Sequence, residues 1–267
     1  MKNWLRIWLL ATITCLLTLG GIAYGSEGTP TPITGDYSKF NLPPGSMVIA
    51  KQSIDVTGDG TPDIVSLVGK KLREDSPYYD QLYITVANPK DQKYITIPLQ
   101  GGYNPKMKFC DFNKDKVQDI YVSVETGGSG GFTNTYLYTV KNNQSTELPV
   151  PNPLQVTGAY QDNYQVKFTI VNTGREFVLS LEDRKKEYDQ AGIYKNGKLI
   201  KPPTITVNPY SLLLPVDVNH DGTCELQGVQ RITGISNADT IAYAVSIWRW
   251  TDNQWSLAEA NIRKTYP

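Results

Sequence analysis

The chain has one histidine, His220, and only three cysteines and three methionines in 267 residues; its 26 basic residues are matched by 26 acidic ones. A single histidine leaves little room for serine-triad or His-rich zinc chemistry. A net charge of +0 lacks the basic footprint of a nucleic-acid binder that works through phosphate contacts. It is equally far from the acidic excess of a disordered tail. No stretch after residue 25 is long and apolar enough for a transmembrane helix, and none shows a sustained helical period. What is plentiful is Tyr (17), Gly (22) and Pro (17), which favours short strands joined by many turns.

Residues 1–25 read as a signal peptide. Lys2 and Arg6 open it, an uncharged and mostly apolar run from Ile7 to Ile22 follows, and Ala23-Tyr24-Gly25 puts small residues where a signal peptidase reads them. Cleavage before Ser26 is expected, giving a secreted or cell-surface protein with no membrane span in the mature chain. Residues 26–47 then read as a linker, with an extended Thr29-Pro30-Thr31-Pro32 segment, and an N-terminal strand; 48–267 form the main β domain. Two cysteines remain, Cys110 and Cys224. Export permits a disulfide, but the sequence does not say whether they meet, and two buried thiols are the simpler alternative.

Three acidic nonapeptides share one pattern. They are Asp55 to Asp63, Asp111 to Asp119 and Asp217 to Glu225, and each puts oxygen-bearing side chains at positions 1, 3, 5 and 9. That spacing suits a hard cation: Ca²⁺ takes six to eight oxygens, and a tight loop aims alternate residues inward while the position-7 carbonyl contributes another. Gly60 and Gly222 at position 6 allow the sharp turn. Each loop has three carboxylates and no basic residue at a ligand position. Holding them together without a counter-ion costs several kcal/mol even at an effective dielectric of about 20. The loops are unequal: Lys116 replaces the position-6 glycine in the second, and Thr57 is a weak ligand in the first. The third ranks first as a site. The alternative is three Asx-rich turns that need no ion.

A strand pattern follows each loop: Ile64-Val65-Ser66-Leu67-Val68, Ile120-Tyr121-Val122-Ser123-Val124 and Leu226-Gln227-Gly228-Val229. Position 12 is Ser66, Val122 or Gly228, so an EF-hand with its bidentate glutamate and following helix is disfavoured. The loop starts are 56 and 106 residues apart, which suggests a repeat of about 54 residues whose third copy, near Tyr160 to Val166, has lost its acidic loop. Hairpins are expected at Asn88-Pro89-Lys90-Asp91, Asn172-Thr173-Gly174, Asn196-Gly197 and Asp252-Asn253. Leu181 to Gln190 can form a turn or two of helix.

Asp-x-Thr/Asn-x-Asp-Gly-x-x-Asp/Glu followed by a strand resembles the VCBS/FG-GAP repeats of integrin α-subunit-like β-propellers. The resemblance implies structural Ca²⁺ held by Asp55, Thr57, Asp59, Thr61 and Asp63; by Asp111, Asn113, Asp115, Val117 and Asp119; and by Asp217, Asn219, Asp221, Thr223 and Glu225. The chain lacks the family's Phe-Gly and Gly-Ala-Pro signatures and has about four units rather than seven. The expected fold is therefore all-β, a small or irregular β-propeller of about four blade-like repeats, with a β-sandwich or open stack of sheets as the alternative.

Other chemistry is weakly marked. Gly127-Gly128-Ser129-Gly130-Gly131 lacks the Gly-Lys-Ser/Thr ending of a phosphate loop, and no Gly-x-Ser-x-Gly elbow occurs. Glu125, after a strand, is a candidate ligand-facing acid. The reading is a non-enzymatic, secreted, calcium-binding repeat protein, a cell-surface binding, adhesion or structural module for an extracellular protein or glycan. The alternative is a hydrolase acting on extracellular polysaccharide or another polymer.

Overall fold

The computed structural model describes residues 23–24, 26–32, 36–128 and 130–265. Most of the expected leader therefore lies outside the described residues. The strands of the first half are β1 (Ala23–Tyr24), β2 (Ser26–Pro32), β3 (Met47–Ile54), β4 (Asp63–Lys70), β5 (Tyr78–Asn88), β6 (Lys93–Cys110), β7 (Asp119–Glu125), β8 (Thr133–Thr139) and β9 (Thr146–Leu148). They form one antiparallel meander in the order β2 to β9, with β1 added beside β6 through Ala23 and Tyr24 opposite Phe109 and Lys108. Cleavage before Ser26 would remove this short added strand with the leader.

Thr29-Pro30-Thr31-Pro32 is not a free linker. It is the second half of β2, where Thr31 and Pro32 pair with Val48 and Met47 across an irregular register. β2 is the last strand on its side of the sheet, and an edge tolerates the missing N–H of proline.

The long strand β6 turns the sheet over on itself. Its first part pairs with β5, from Lys93 opposite Asn88 to Tyr103 opposite Tyr78. Its last part pairs with β7, through Cys110 opposite Asp119, after a register shift between Tyr103 and Lys106. Gly101 and Gly102 sit at the switch, where added Cβ atoms would come within 2.3 Å of the Tyr79 carbonyl and 2.5 Å of a Val124 methyl. Val65, Leu67, Ile84 and Val86 then share one core with Met107, Phe109, Ile120 and Val122.

The second half contains β10 (Val156–Gln161), β11 (Gln165–Ile170) and β12 (Arg175–Ser180) as one sheet. A short helix α1 (Lys185–Gln190) and the hairpin β13 (Tyr194–Lys195) and β14 (Lys198–Leu199) follow. The last sheet is β15 (Thr206–Val216), β16 (Glu225–Thr233), β17 (Thr240–Thr251) and β18 (Gln254–Arg263).

β7 and β8 lie between two cores. Ile120, Val122 and Val124 face the first core, while Tyr121 and Leu137 face a second one built with Phe168, Leu213, Leu226 and Trp248. This two-sided burial explains the nearly unbroken apolar run Ile120-Tyr121-Val122: a strand with both faces covered has no polar face to alternate with. The Tyr121 hydroxyl ties the layers by donating to the Leu213 carbonyl at 2.6 Å.

The class is all-β, and every strand pairing in the named sheets is antiparallel. No sheet closes on itself among the described residues, and the layers match the open-stack alternative rather than a ring of blades. The 54-residue period does not correspond to a structural repeat. The segment Tyr160 to Val166, expected to hold a lapsed acidic loop, is the tight hairpin between β10 and β11, with Gln161 opposite Gln165 in a different sheet.

Candidate functional site: a rim of three acidic loops

Each nonapeptide closes a hairpin in the same way. The residue before position 1 pairs with position 9: Ile54 with Asp63, Cys110 with Asp119, and Val216 with Glu225. Positions 4 and 6 have positive φ in all three loops, at Gly58 and Gly60, Lys114 and Lys116, and His220 and Gly222. The three non-glycine residues, Lys114, Lys116 and His220, hold the same left-handed turn at a conformational cost.

The hydrogen bonds repeat as well. The position-1 carboxylate accepts amides from across the turn: Asp55 from Gly58 and Gly60, Asp111 from Asp115 and Lys116, Asp217 from Asp221 and Gly222. Position 5 accepts from position 7, in Asp59–Thr61, Asp115–Val117 and Asp221–Thr223. Position 9 accepts from position 2, in Asp63–Val56, Asp119–Phe112 and Glu225–Val218. The carboxylates thus satisfy the amides that the turn would otherwise leave bare.

Each loop also receives a cation from a later hairpin. Lys90 Nζ lies 3.8 Å from Asp59, Lys141 Nζ 3.1 Å from Asp115, and Arg249 Nε 2.8 Å from the buried Glu225. These partners are 24 to 31 residues beyond the acids they meet in sequence, so no motif within a loop announces them. Asn88, read only as part of a turn, donates to Thr57 and Asp59 in the first loop and to Asn143 beside it. Neutralisation expected from a divalent ion is therefore supplied in part by amides and basic side chains.

Local protonation follows burial. Desolvation raises Asp63 and Asp111 and pushes Asp119 up to about 7, with Asp115 repulsion adding to the last and the Phe112 N–H opposing it. Asp119 Oδ1 has no hydrogen-bond partner. For Asp59, burial pulls upward, but the Asn88 amide, the Thr61 N–H and Lys90 hold the group below the ordinary range. Asp221 is lowered first by the Thr223 hydroxyl and then by its amide.

The loops adjoin in series. Val117 of the second packs on Gly58 of the first, and the Asn142 N–H donates to the Thr57 carbonyl at 2.9 Å. The second and third are joined by the Asp111–Thr223 bridge, by the Cys224 N–H to the Asp111 carbonyl at 2.9 Å, and by a Cys110–Cys224 disulfide. The two cysteines are thus bonded rather than separate thiols. The three loops that carry the fifteen candidate ligands thus touch in series along one rim. Glu125 belongs elsewhere, accepting the Asn104 amide at 2.7 Å on an exposed surface.

The model of the YybI C-terminal domain matches residues 154–263. The "Uncharacterized protein YybI" of Bacillus subtilis (strain 168) is 31% identical over 221 residues, covering 80% of this chain and 84% of the relative. The chain belongs to the YybI family. No solved structure matches it.

YybI membership replaces the VCBS/FG-GAP assignment and with it the repeat and propeller descriptors. The nonapeptide pattern is short enough to occur in any hairpin that must close an eight-residue acidic connection. Metal binding is not visible as a cluster either: among the described residues, no group of three or more His, Cys, Asp and Glu side chains is arranged to hold an ion. The YybI C-terminal domain match begins at Leu154, just after β9, and ends at Arg263, the last residue of β18. Nothing in the family comparisons points to an enzymatic activity. No helix among the described residues is long and apolar enough to cross a membrane.

Proposed function

We propose that this YybI-family chain is an exported, non-catalytic binding or structural module of the cell surface, with the three-loop rim as its rigid contact edge. The observation that carries this reading is the serial joining of the loops, through Val117 on Gly58 and then through the Cys110–Cys224 bond. A disulfide suits an oxidising compartment outside the cytosol. A rim fixed in this way costs little to order when it meets a partner.

Structural calcium belongs to the same proposal in a reduced role. Carboxylate oxygens that accept one amide keep a further lone pair, so Asp55, Asp111 and Asp217 can take an ion without surrendering the turn. Because amides and cations already stabilise the loops, calcium reinforces the rim rather than creating it. Extracellular sites of modest charge bind with Kd of about 10⁻⁴–10⁻³ M.

The test uses the purified exported chain. Calorimetry in chelator and in millimolar calcium should show a modest rise in Tm; no change removes calcium from the proposal. Co-sedimentation with purified envelope polymers, run beside a hydrolysis assay on the same polymers, tests the module. Retention without turnover supports it, whereas turnover restores the hydrolase reading.

A further inference from the structure

Away from the rim, a short 3₁₀ turn, Asp36–Phe40, straps across the outer face of the first sheet. It is held at two points. The Tyr37 and Ser66 hydroxyls are 2.8 Å apart, and Thr96 Oγ1 donates to the Phe40 carbonyl at 3.1 Å. Beneath it lies a cleft of about 280 Å³.

The sequence makes this space by placing short side chains on one face of adjacent strands. Ser66 of β4 pairs with Thr85 of β5, and Ala87 of β5 lies opposite Tyr94 of β6. Larger residues at the first three positions would fill the volume. Val65, Leu67, Ile84 and Val86 occupy the other face and the core. The walls are aromatic: Phe40 meets Tyr94 edge-on at 5.4 Å, and Tyr37 meets Phe40 at 5.7 Å.

The floor is buried yet polar. Ser66 and Thr85 are each 1% exposed, and their hydroxyls retain acceptor capacity beyond their single protein partners. No Asp or Glu lines the cleft, and Lys51 lines it. Aromatic walls, a hydroxyl floor and no carboxylate fit a neutral or weakly anionic ring with many hydroxyls. A purely apolar ring would leave the floor's polar groups poorly matched. The volume is just below the usual lower limit of about 300 Å³ for drug-sized sites, which limits the guest to a single ring or little more.

We propose that this cleft is a binding site for one carbohydrate ring, held beside Tyr94, whose ring also carries the Lys39 ammonium 4.7 Å from its centroid, with the sugar hydroxyls toward Ser66 and Thr85. The ring contacts proposed here use none of the fifteen loop residues, although Asn88, which also lines the cleft, donates to Thr57 and Asp59 of the first loop.

The experiment is an NMR and calorimetric titration of the full chain with methyl α-glucoside, with N-acetylglucosamine, and with p-cresol as a flat ring poor in hydroxyls. The expected result is saturable binding of at least one sugar, with shifts at the Thr85 and Tyr94 amides. Tyr94→Ala and the space-filling Ala87→Leu should each weaken it by at least about tenfold. Asp217→Asn, in the third loop, should leave it unchanged, so that failure of the rim proposal is read separately. The amide shifts in the unaltered chain supply a readout that needs no variant to fold. No sugar binding, binding of p-cresol alone, or sugar binding that leaves Thr85 and Tyr94 unshifted would overturn the proposal.

Discussion

Val117 of the second acidic loop sits on Gly58 of the first so closely that a Cβ on Gly58 would lie 2.7 Å from its Cγ2. The contact joins turns whose sequence positions are far apart, and it depends on the absence of one methyl group.

Gly58→Ala and Gly60→Ala should therefore differ. Both residues have positive φ, but only Gly58 faces a neighbour; a Cβ on Gly60 meets open space. Gly60→Ala should cost about 1 kcal/mol for its backbone conformation alone. Gly58→Ala should cost about 2–4 kcal/mol, since overpacking adds to that strain. Urea denaturation of both variants measures the difference; equal losses would mean that the loops do not press on one another.

Arg249→Ala should destabilise the chain by about 1–3 kcal/mol, because it leaves Glu225 buried without its partner. Partial exposure of Arg249 keeps the figure below that of a fully buried pair. Lys90→Ala at the first loop should cost under about 1 kcal/mol, since its ammonium is half-exposed and 3.8 Å from Asp59. A double-mutant cycle of Arg249→Ala with Glu225→Gln should return a clear coupling energy, and a coupling near zero would show the pair to be incidental.

Stability in chelator should fall as pH rises from about 4 to 7. Burial pushes Asp119 up to about 7 from the ordinary 3.8. Within that window the folded chain holds a proton that the unfolded chain has released, so each rise in pH favours unfolding. The slope should be of order 1 kcal/mol per pH unit from this group. Asp63 and Asp111, also raised by burial, act in the same direction. Asp119→Asn should flatten much of the slope in a pH series of urea melts; an unchanged slope would place its origin elsewhere.

Replacing Cys110 and Cys224 together by serine should cost about 3–5 kcal/mol. The bond spans 114 residues, and a closed loop of that size removes much of the freedom of the unfolded chain. Comparison of the double variant with the oxidised parent by denaturant titration reads the loss, and a change under 1 kcal/mol would show that the denatured chain is already restrained.

The local elements could be read from sequence because their causes are local. Ile64 to Val68 and Ile120 to Val124 lie in β4 and β7, and Asn196-Gly197 is the turn between β13 and β14. Lys185–Gln190 is the brief helix suggested within Leu181 to Gln190. The three hairpins were marked by their acidic turns, and their common backbone follows from the spacing. The tertiary partners had no such mark. Lys90, Lys141 and Arg249 reach their acids only after the chain has made another hairpin. The near-regular spacing of 56 and 106 residues suggested a repeat, yet Asp162 to Tyr164 belongs to a separate sheet with its own short turn. Sequence spacing records contour length and not which layer a strand enters.

The two-faced position of β7 and β8 has a practical consequence for anyone cutting this gene. Tyr121 and Leu137 furnish one wall for the sheets that come after residue 154, and the Tyr121 hydroxyl reaches Leu213. A fragment trimmed to the 154–263 segment would be a room with a side removed, its greasy lining open to water and to its neighbours.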